Sequence, residues 1–222
     1  MGSYHMVDKV PDLFSYIVES DNGFSPNPFG GVCTLACSKP KIRYYARIGD
    51  WIIGTTIGPK KDSLVFAMQI SRALTFDLYW KYPEYQSKKP NKDNVTGDNI
   101  YKNGEHVDLI QIPNLFHSEK HFKSDTSVNR VLISKTFYYF GKDAPAIPDQ
   151  YKSIISPAQG YTQIKPTSKN SMAVSVFLIW LRDNFKQGVN GEPAKSDAKR
   201  KPPVSVASTK KKQVLEEPET FN

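Results

Sequence analysis

The sequence predicts an α+β fold: a small open β-barrel or strongly curved mixed sheet with a few flanking helices. Three observations carry that expectation. Short apolar, β-branched runs bounded by turn residues recur from Leu13 to Gly141. Aromatic content is high, with twelve Tyr, twelve Phe and three Trp, and much of it sits beside turn residues rather than in helical stripes. One long stretch of helical spacing then closes the folded part, a C-terminal helix at about 171–186. With 222 residues, 39% of them hydrophobic, the chain can build one good-sized core.

Taken in order, Leu13 to Glu19 alternates and reads as a strand, broken at Ser20-Asp21-Asn22-Gly23. Phe24-Ser25-Pro26-Asn27-Pro28-Phe29-Gly30-Gly31 is a structured loop: two prolines stiffen it, two glycines relax it, and two aromatics flank Asn27. Val32 to Cys37 fits a helix or a strand equally. Lys39 to Arg47 interleaves cations with rings, as a phosphate-and-base surface requires and as an exposed strand of a basic protein would also show. A Gly49-Asp50 turn then feeds an apolar strand, Trp51 to Gly54, whose hairpin partner is Leu64 to Ile70.

Thr75 has the chemistry of a helix cap, so a short helix is expected over Phe76 to Lys81, ended by Pro83. Glu84 to Asn94 is polar and lysine-rich and reads as a mobile loop. Gly97-Asp98-Asn99-Ile100-Tyr101 is a compact polar group that either makes a turn with its own backbone or offers an acceptor and an amide to a base edge. Leu109 to Pro113 is a brief strand, followed by a loop holding His117 and His121. Val131 to Ser134 is a strand that the aromatic run Phe137 to Gly141 continues. Val174, Phe177, Leu178, Leu181 and Phe185 mark the closing helix.

Net charge is +8, which suits an anionic partner. The segment from Gly188 to Asn222 holds seven Lys or Arg and five Asp or Glu, so the preceding body keeps +6. Two cysteines are too few for a disulfide scaffold, and no signal-peptide pattern or long apolar run is present, so a cytoplasmic protein without a membrane partner is expected. Residues 1–6 read as a cloning remnant, 7–190 as one domain, and 191–222 as a disordered basic tail. No phosphate-binding glycine loop, dinucleotide fingerprint or GxSxG elbow occurs. Cys33 and Cys37 with His117 and His121 have spacing that permits a zinc site without requiring one, and no metal or cofactor is expected. An activated Cys-His pair has no third orienting residue in the sequence to support it.

Five motifs in order carry a resemblance: Phe24-x-Pro26-Asn27-Pro28-Phe29; Cys33-Thr34-Leu35-Ala36-Cys37-x-Lys39-Pro40; Gly49 to Gly54; Gly97 to Tyr101; and Val131-Leu132-Ile133-Ser134-x-x-Phe137-Tyr138-Tyr139-Phe140-Gly141. Together they resemble the nucleotide modification associated domain 2 family over about Leu13 to Gly191. That resemblance implies a bacterial or phage setting of DNA base modification and no defined reaction. Ile48 to Trp80 also resembles the PUA-like domains of EVE and YTH type, which implies an open barrel that receives a flipped base between aromatic side chains.

The resulting expectation is a binding module for a nucleotide or modified base in nucleic acid, DNA rather than RNA. Asn27, Lys39, Trp51, Asp98, Asn99, Tyr101, His117, Tyr138 and Tyr139 would contact the ligand, and Lys41, Arg43 and Arg47 the phosphate backbone. Two alternatives stand beside it. One is an enzyme acting on a nucleotide or DNA base through Cys33, Asp98 or His117; the other is a module that docks a protein partner from a DNA-modification system.

Overall fold

The computed structural model describes residues 11–57, 61–105 and 107–195 and the backbone of Ala207–Ser208. The first half of the chain gives β1 (Leu13–Ile17), β2 (Cys33–Leu35), α1 (Pro40–Tyr45), β3 (Trp51–Thr55), β4 (Leu64–Gln69), β5 (Arg72–Leu74) and α2 (Phe76–Lys81). The second half gives β6 (Tyr101–Lys102), β7 (Ile110–Gln111), α3 (Glu119–Thr126), β8 (Val131–Ser134), β9 (Thr136–Tyr139), β10 (Thr162–Ile164), α4 (Ser171–Asn184), β11 (Gly188–Val189) and β12 (Ala207–Ser208). The fold is mixed α+β.

Its centre is a six-stranded sheet in the order β10-β1-β3-β4-β9-β11. The expected hairpin forms as β3 and β4, with Trp51 opposite Gln69 and Ile53 opposite Ala67. β1 lies parallel to β3 on the far side of the hairpin. Among the described residues the sheet ends at β10 and β11 and closes no barrel, and the mixed sheet with flanking helices is the part of the expectation that the structure shows. Two three-stranded sheets flank it, β2-β8-β5 and β12-β7-β6.

Strand alternation divides the core. Phe14, Tyr16, Ile52, Phe66, Met68 and Tyr139 fill one face of the central sheet together with Cys33, Leu35 and Ile42. Leu13, Trp51, Ile53, Ala67 and Tyr138 fill the other, where Val174, Phe177 and Leu181 of α4 cover them. Gly54 leaves room for its neighbours in the sheet: a Cβ there would lie 2.3 Å from Cε1 of Phe66 and 2.6 Å from Cγ2 of Val18. A third cluster joins Cys37, Phe76, Tyr79, Tyr101 and Phe122 between α2, α3 and the small sheets.

α2 spans the predicted residues, and Thr75 Oγ1 accepts the Leu78 N–H at 3.3 Å as its cap. Several segments differ from the sequence expectation. The aromatic run does not continue β8, because β8 pairs with β2 and β5 while β9 pairs with β4 in the central sheet. The expected mobile loop begins inside a 3-10 helix, Pro83–Lys88, that buries Tyr85 and Lys88. Lys39 to Tyr45 is not an exposed strand: Pro40 opens a helix whose inner face is Ile42, Arg43 and, at its end, Ala46. The histidine loop holds α3, a helix with only Phe122 as a buried apolar residue.

Gly191 and the residues up to Lys195 are anchored. Lys142 N–H donates to Glu192 O at 2.8 Å, and Asp21 receives the N–H groups of Ala194 on Oδ2 and of Lys195 on its carbonyl. Gly141 must be glycine at this crossing, since φ is +57° and a Cβ would lie 1.9 Å from Glu192 O. The rest of the expected tail, apart from the β12 backbone, and all of the expected cloning remnant lie outside the described residues. No helix among the described residues is long and apolar enough to cross a membrane.

Candidate functional site

β2 ends at Leu35, and the chain reaches α1 through Ala36, Cys37, Ser38 and Lys39. The last two residues of that turn take left-handed backbone, φ +60° at Ser38 and +43° at Lys39, a conformation uncommon for residues with side chains. Two groups hold the turn there. The buried Arg43 reaches back from α1, its Nε donating to Ser38 O at 2.9 Å. The Ser38 N–H donates to Asp125 Oδ1 at 2.8 Å.

A cleft of about 290 Å³ opens beside this turn. Tyr16 to Ser20, running off the end of β1, form one wall, with Ser25, Ser38 and Lys39 next to them; His117 and the α3 residues His121, Ser124 and Asp125 form the other. Lys39 Nζ sits 4.5 Å from the centroid of the Tyr16 ring. Burial pushes the Lys39 ammonium below its ordinary value, an effect that the charge of Glu19 opposes.

His117 is fixed by its backbone and its ring. Its N–H donates to Asn114 Oδ1 at 2.7 Å, and its carbonyl accepts from Gln111 and Asn114. Nδ1 lies 2.5 Å from Asp125 Oδ2. A carboxylate accepts, so in the neutral ring Nδ1 carries the proton and Nε2 is left as an acceptor. Nε2 faces Ser38 Oγ at 3.5 Å. His121 stacks on His117 with centroids 4.3 Å apart and takes the Ser118 N–H on its own Nδ1 at 3.1 Å.

Asp125 is buried and collects three partners: the His117 ring, the Ser38 N–H, and the Tyr101 hydroxyl, which donates to Oδ2 at 2.8 Å. Burial alone would raise its carboxyl; these hydrogen bonds and the His117 ring outweigh it and hold the group below its ordinary value. Arg43 then ties the two halves of the site together. Besides Ser38 O, it donates to the carbonyls of Asp125 at 2.5 Å and of Val128 and Arg130 at 2.7 Å each. The result is a hydroxyl, an imidazole and a carboxylate in hydrogen-bonding sequence at the floor of an accessible cleft. That order lets the imidazole take a proton from the hydroxyl while the carboxylate stabilises the charge that forms.

Cys37, His117 and Asp125 also place one ligand atom each within 4.8 Å of one another, the grouping that could hold a metal ion. The chemistry of the set fits a metal poorly. Cys37 is fully buried, burial pushes its thiol well up, and its S–H points at Asp98 O at 3.7 Å. The His117 and Asp125 atoms already bond each other. Cys33 packs in a different core cluster from Cys37, so the two cysteines do not converge.

Of the residues singled out in the sequence, Lys39, His117 and His121 line the cleft and Tyr101 stands directly behind it. Asn27, Asp98 and Asn99 do meet, in a buried polar network rather than a cavity. Lys88 Nζ donates to Asn27 O and Oδ1, both at 2.9 Å, and to Val32 O at 2.8 Å. Asp98 accepts from Thr34 at 2.6 Å and Tyr79 at 2.8 Å, while Asn99 donates to Tyr79 O. Trp51 and Tyr138 lie on the α4 side of the central sheet, and Tyr139 on the opposite side with its hydroxyl on Asp21. A ligand could touch these only by opening the core.

The three expected phosphate contacts separate. Arg43 is 0% exposed with its guanidinium committed to carbonyls, which corrects its assignment to the surface, whereas Lys41 and Arg47 are exposed. Beside them stand Tyr44, Tyr45 and Ile48, exposed by 63%, 52% and 67%, the two rings 5.0 Å apart at 88°. A cavity of about 600 Å³ lies next to Tyr45 and Arg47, with Gln163 and Lys165 on its other side.

Sequence reasoning passed over Ser38 and Asp125. Ser38 occupies the unspecified position of its motif, and its signal was Pro40, which marks a helix start just after it. Asp125 lies on a helix too polar to show a stripe; Ser118, ahead of Glu119, was the available start signal.

No curated protein and no solved structure matches the chain. A family model described as nucleotide modification associated domain 2 matches residues 10–200, which takes in every cleft residue named above. With the greater part of its length matched, including the Ser38 turn, the His117 loop and α3, the chain belongs to the nucleotide modification associated domain 2 family.

Proposed function

We propose that the protein binds a single-stranded segment of modified DNA along α1 and presents one nucleotide to the Ser38 cleft. The observation that carries this is the strip formed by Lys41, Tyr44, Tyr45, Arg47 and Ile48, exposed cations alternating with exposed rings. Its helical part follows the Ser38–Lys39 turn directly and is about 9 Å long, at 1.5 Å per residue, with Arg47 and Ile48 just past the helix end. Rings that project into water with no packing role are suited to base stacking, and the cations beside them to phosphate. Arg130, which donates to the carbonyls of Arg43 and Tyr44 at the edge of the strip, is pushed below its ordinary value by burial and then by the nearby Arg47 charge. An anion at this place relieves that repulsion. Lys39 and His117 then contact the nucleotide in the cleft, and membership in a nucleotide-modification family supports the choice of ligand.

Fluorescence anisotropy with short single-stranded oligonucleotides, modified and plain, tests the reading. The modified strand should bind more tightly, and affinity should fall steeply as salt rises. Tyr44→Ala with Tyr45→Ala should weaken binding by about tenfold or more, since each base–ring stack contributes about 1–3 kcal/mol. Equal affinity for both strands with no salt slope sinks the reading.

A further inference from the structure

We propose that Ser38 is a nucleophile and that the cleft is a reaction centre for acyl transfer, in which Ser38 Oγ attacks the carbonyl carbon of an ester or amide borne on a nucleotide, with His117 as base. The nucleotide-borne part rests on the reading above; the nucleophile does not.

Several independent features meet at Ser38. It lines the cleft from a strand-to-helix turn with two successive left-handed residues, each a strained state that persists only where the surroundings enforce it. The enforcing groups are Arg43 and Asp125, and Asp125 is also the partner of His117. One carboxylate thus positions both the serine backbone and the imidazole. Nε2 is the nitrogen left without a proton, and it faces Oγ at 3.5 Å, a separation that shortens in such sites when substrate is bound. A hydrophilic surface turn needs none of this apparatus.

The charge of the cleft selects the electrophile. Among the described residues Lys39 is the one Lys or Arg lining it, and Glu19 and Asp125 line it as well. Phosphoryl transfer spreads negative charge over several oxygens and requires clustered cations or metal ions; a neutral carbonyl does not. In the step itself the Oγ–carbon bond forms as the bond from that carbon to the leaving atom breaks. The hydroxyl proton passes to Nε2 and from there to the leaving atom. Water, or an acceptor hydroxyl or amine, next gives its proton to Nε2 and attacks the Ser38 ester, and that proton returns to Oγ as the acyl group departs. Asp125 acts through the His117 ring and the Ser38 backbone and is a positioning residue.

The full-length protein treated with an alkyl fluorophosphonate, followed by intact mass measurement and peptide mapping, tests the proposal. We expect a single adduct on Ser38 that is absent from Ser38→Ala and forms at least tenfold more slowly in His117→Gln with its melting temperature retained. No adduct, an adduct elsewhere, or the same labelling rate in heat-unfolded protein would overturn it. The probe carries no nucleotide, so labelling of Ser38 in a protein that fails to bind oligonucleotides supports the nucleophile and removes only the nucleotide reading.

Discussion

Arg43 shows how a single side chain can decide the geometry of a site it never enters. Its guanidinium reaches four carbonyls, among them those of Ser38 and Asp125, so the serine turn and the C-terminal end of α3 are held at a fixed separation. Lysine carries the charge without the planar fork and can serve at most three acceptors. Arg43→Lys should therefore lose about 2–4 kcal/mol in urea denaturation, the cost of leaving buried carbonyls unpaired. A loss below about 0.5 kcal/mol, no more than a surface change gives, would show the carbonyls finding other partners. Asp125 supplies the pH dependence. Its carboxyl is held below the unfolded value, so its ionised form stabilises the fold above about pH 4, and that contribution disappears as the pH falls through the lower folded value. Asp98 acts with the opposite sign: burial raises its carboxyl, so its contribution is greatest in acid and declines as pH rises. Comparing Asp125→Asn with the parent isolates the first effect. The urea midpoint of the variant should fall less between about pH 6 and pH 3 than that of the parent.

At the scale of elements, the central hairpin depends on the missing side chain at Gly54. Phe66 and Val18 occupy the space a Cβ would need, and both are buried. Gly54→Ala should destabilise by about 1–3 kcal/mol, the range for overpacking, with a lowered urea midpoint as the readout; an unchanged midpoint would mean that β1 and β4 can separate without cost. The strands were legible because short apolar runs are a strong signal: β1, β4 and β8 fall within an expected run and β3 and β9 each overrun theirs by one residue, although β9 starts a new strand in the central sheet where the sequence suggested a continuation of β8. α2 was legible through its cap and α4 through its stripe. α1 was not, because cations and rings at every second position between Lys39 and Arg47 imitate an exposed strand. Folded as a helix, the same residues turn Ile42, Arg43 and Ala46 inward and leave Lys41, Tyr44 and Tyr45 outside. The residue expected on phosphate is thereby buried, while its neighbours keep their exposure.

For the whole molecule, composition announced a mixed α+β protein with a positive surface, and the order of five motifs announced its family. The cleft was half legible. Lys39 and His117 stood out by chemistry, but Ser38, His117 and Asp125 come from three segments whose meeting depends on α3 packing under the β2–α1 turn, a long-range arrangement that local pattern does not encode. Polar type alone did not separate site from scaffold either: Asn27, Asp98 and Asn99 have the groups to read a base edge and are instead committed in the interior, Asn27 to Lys88, Asp98 to Thr34 and Tyr79, and Asn99 to the Tyr79 carbonyl. The crossing at Gly141 has a practical corollary for anyone shortening this protein. A fragment cut at Asn190, where the sequence suggests the domain stops, would strip Asp21 of its Ala194 and Lys195 partners and uncover the backbone of Gly141 and Lys142. A trimmed version meant to keep its shape has to retain Lys195.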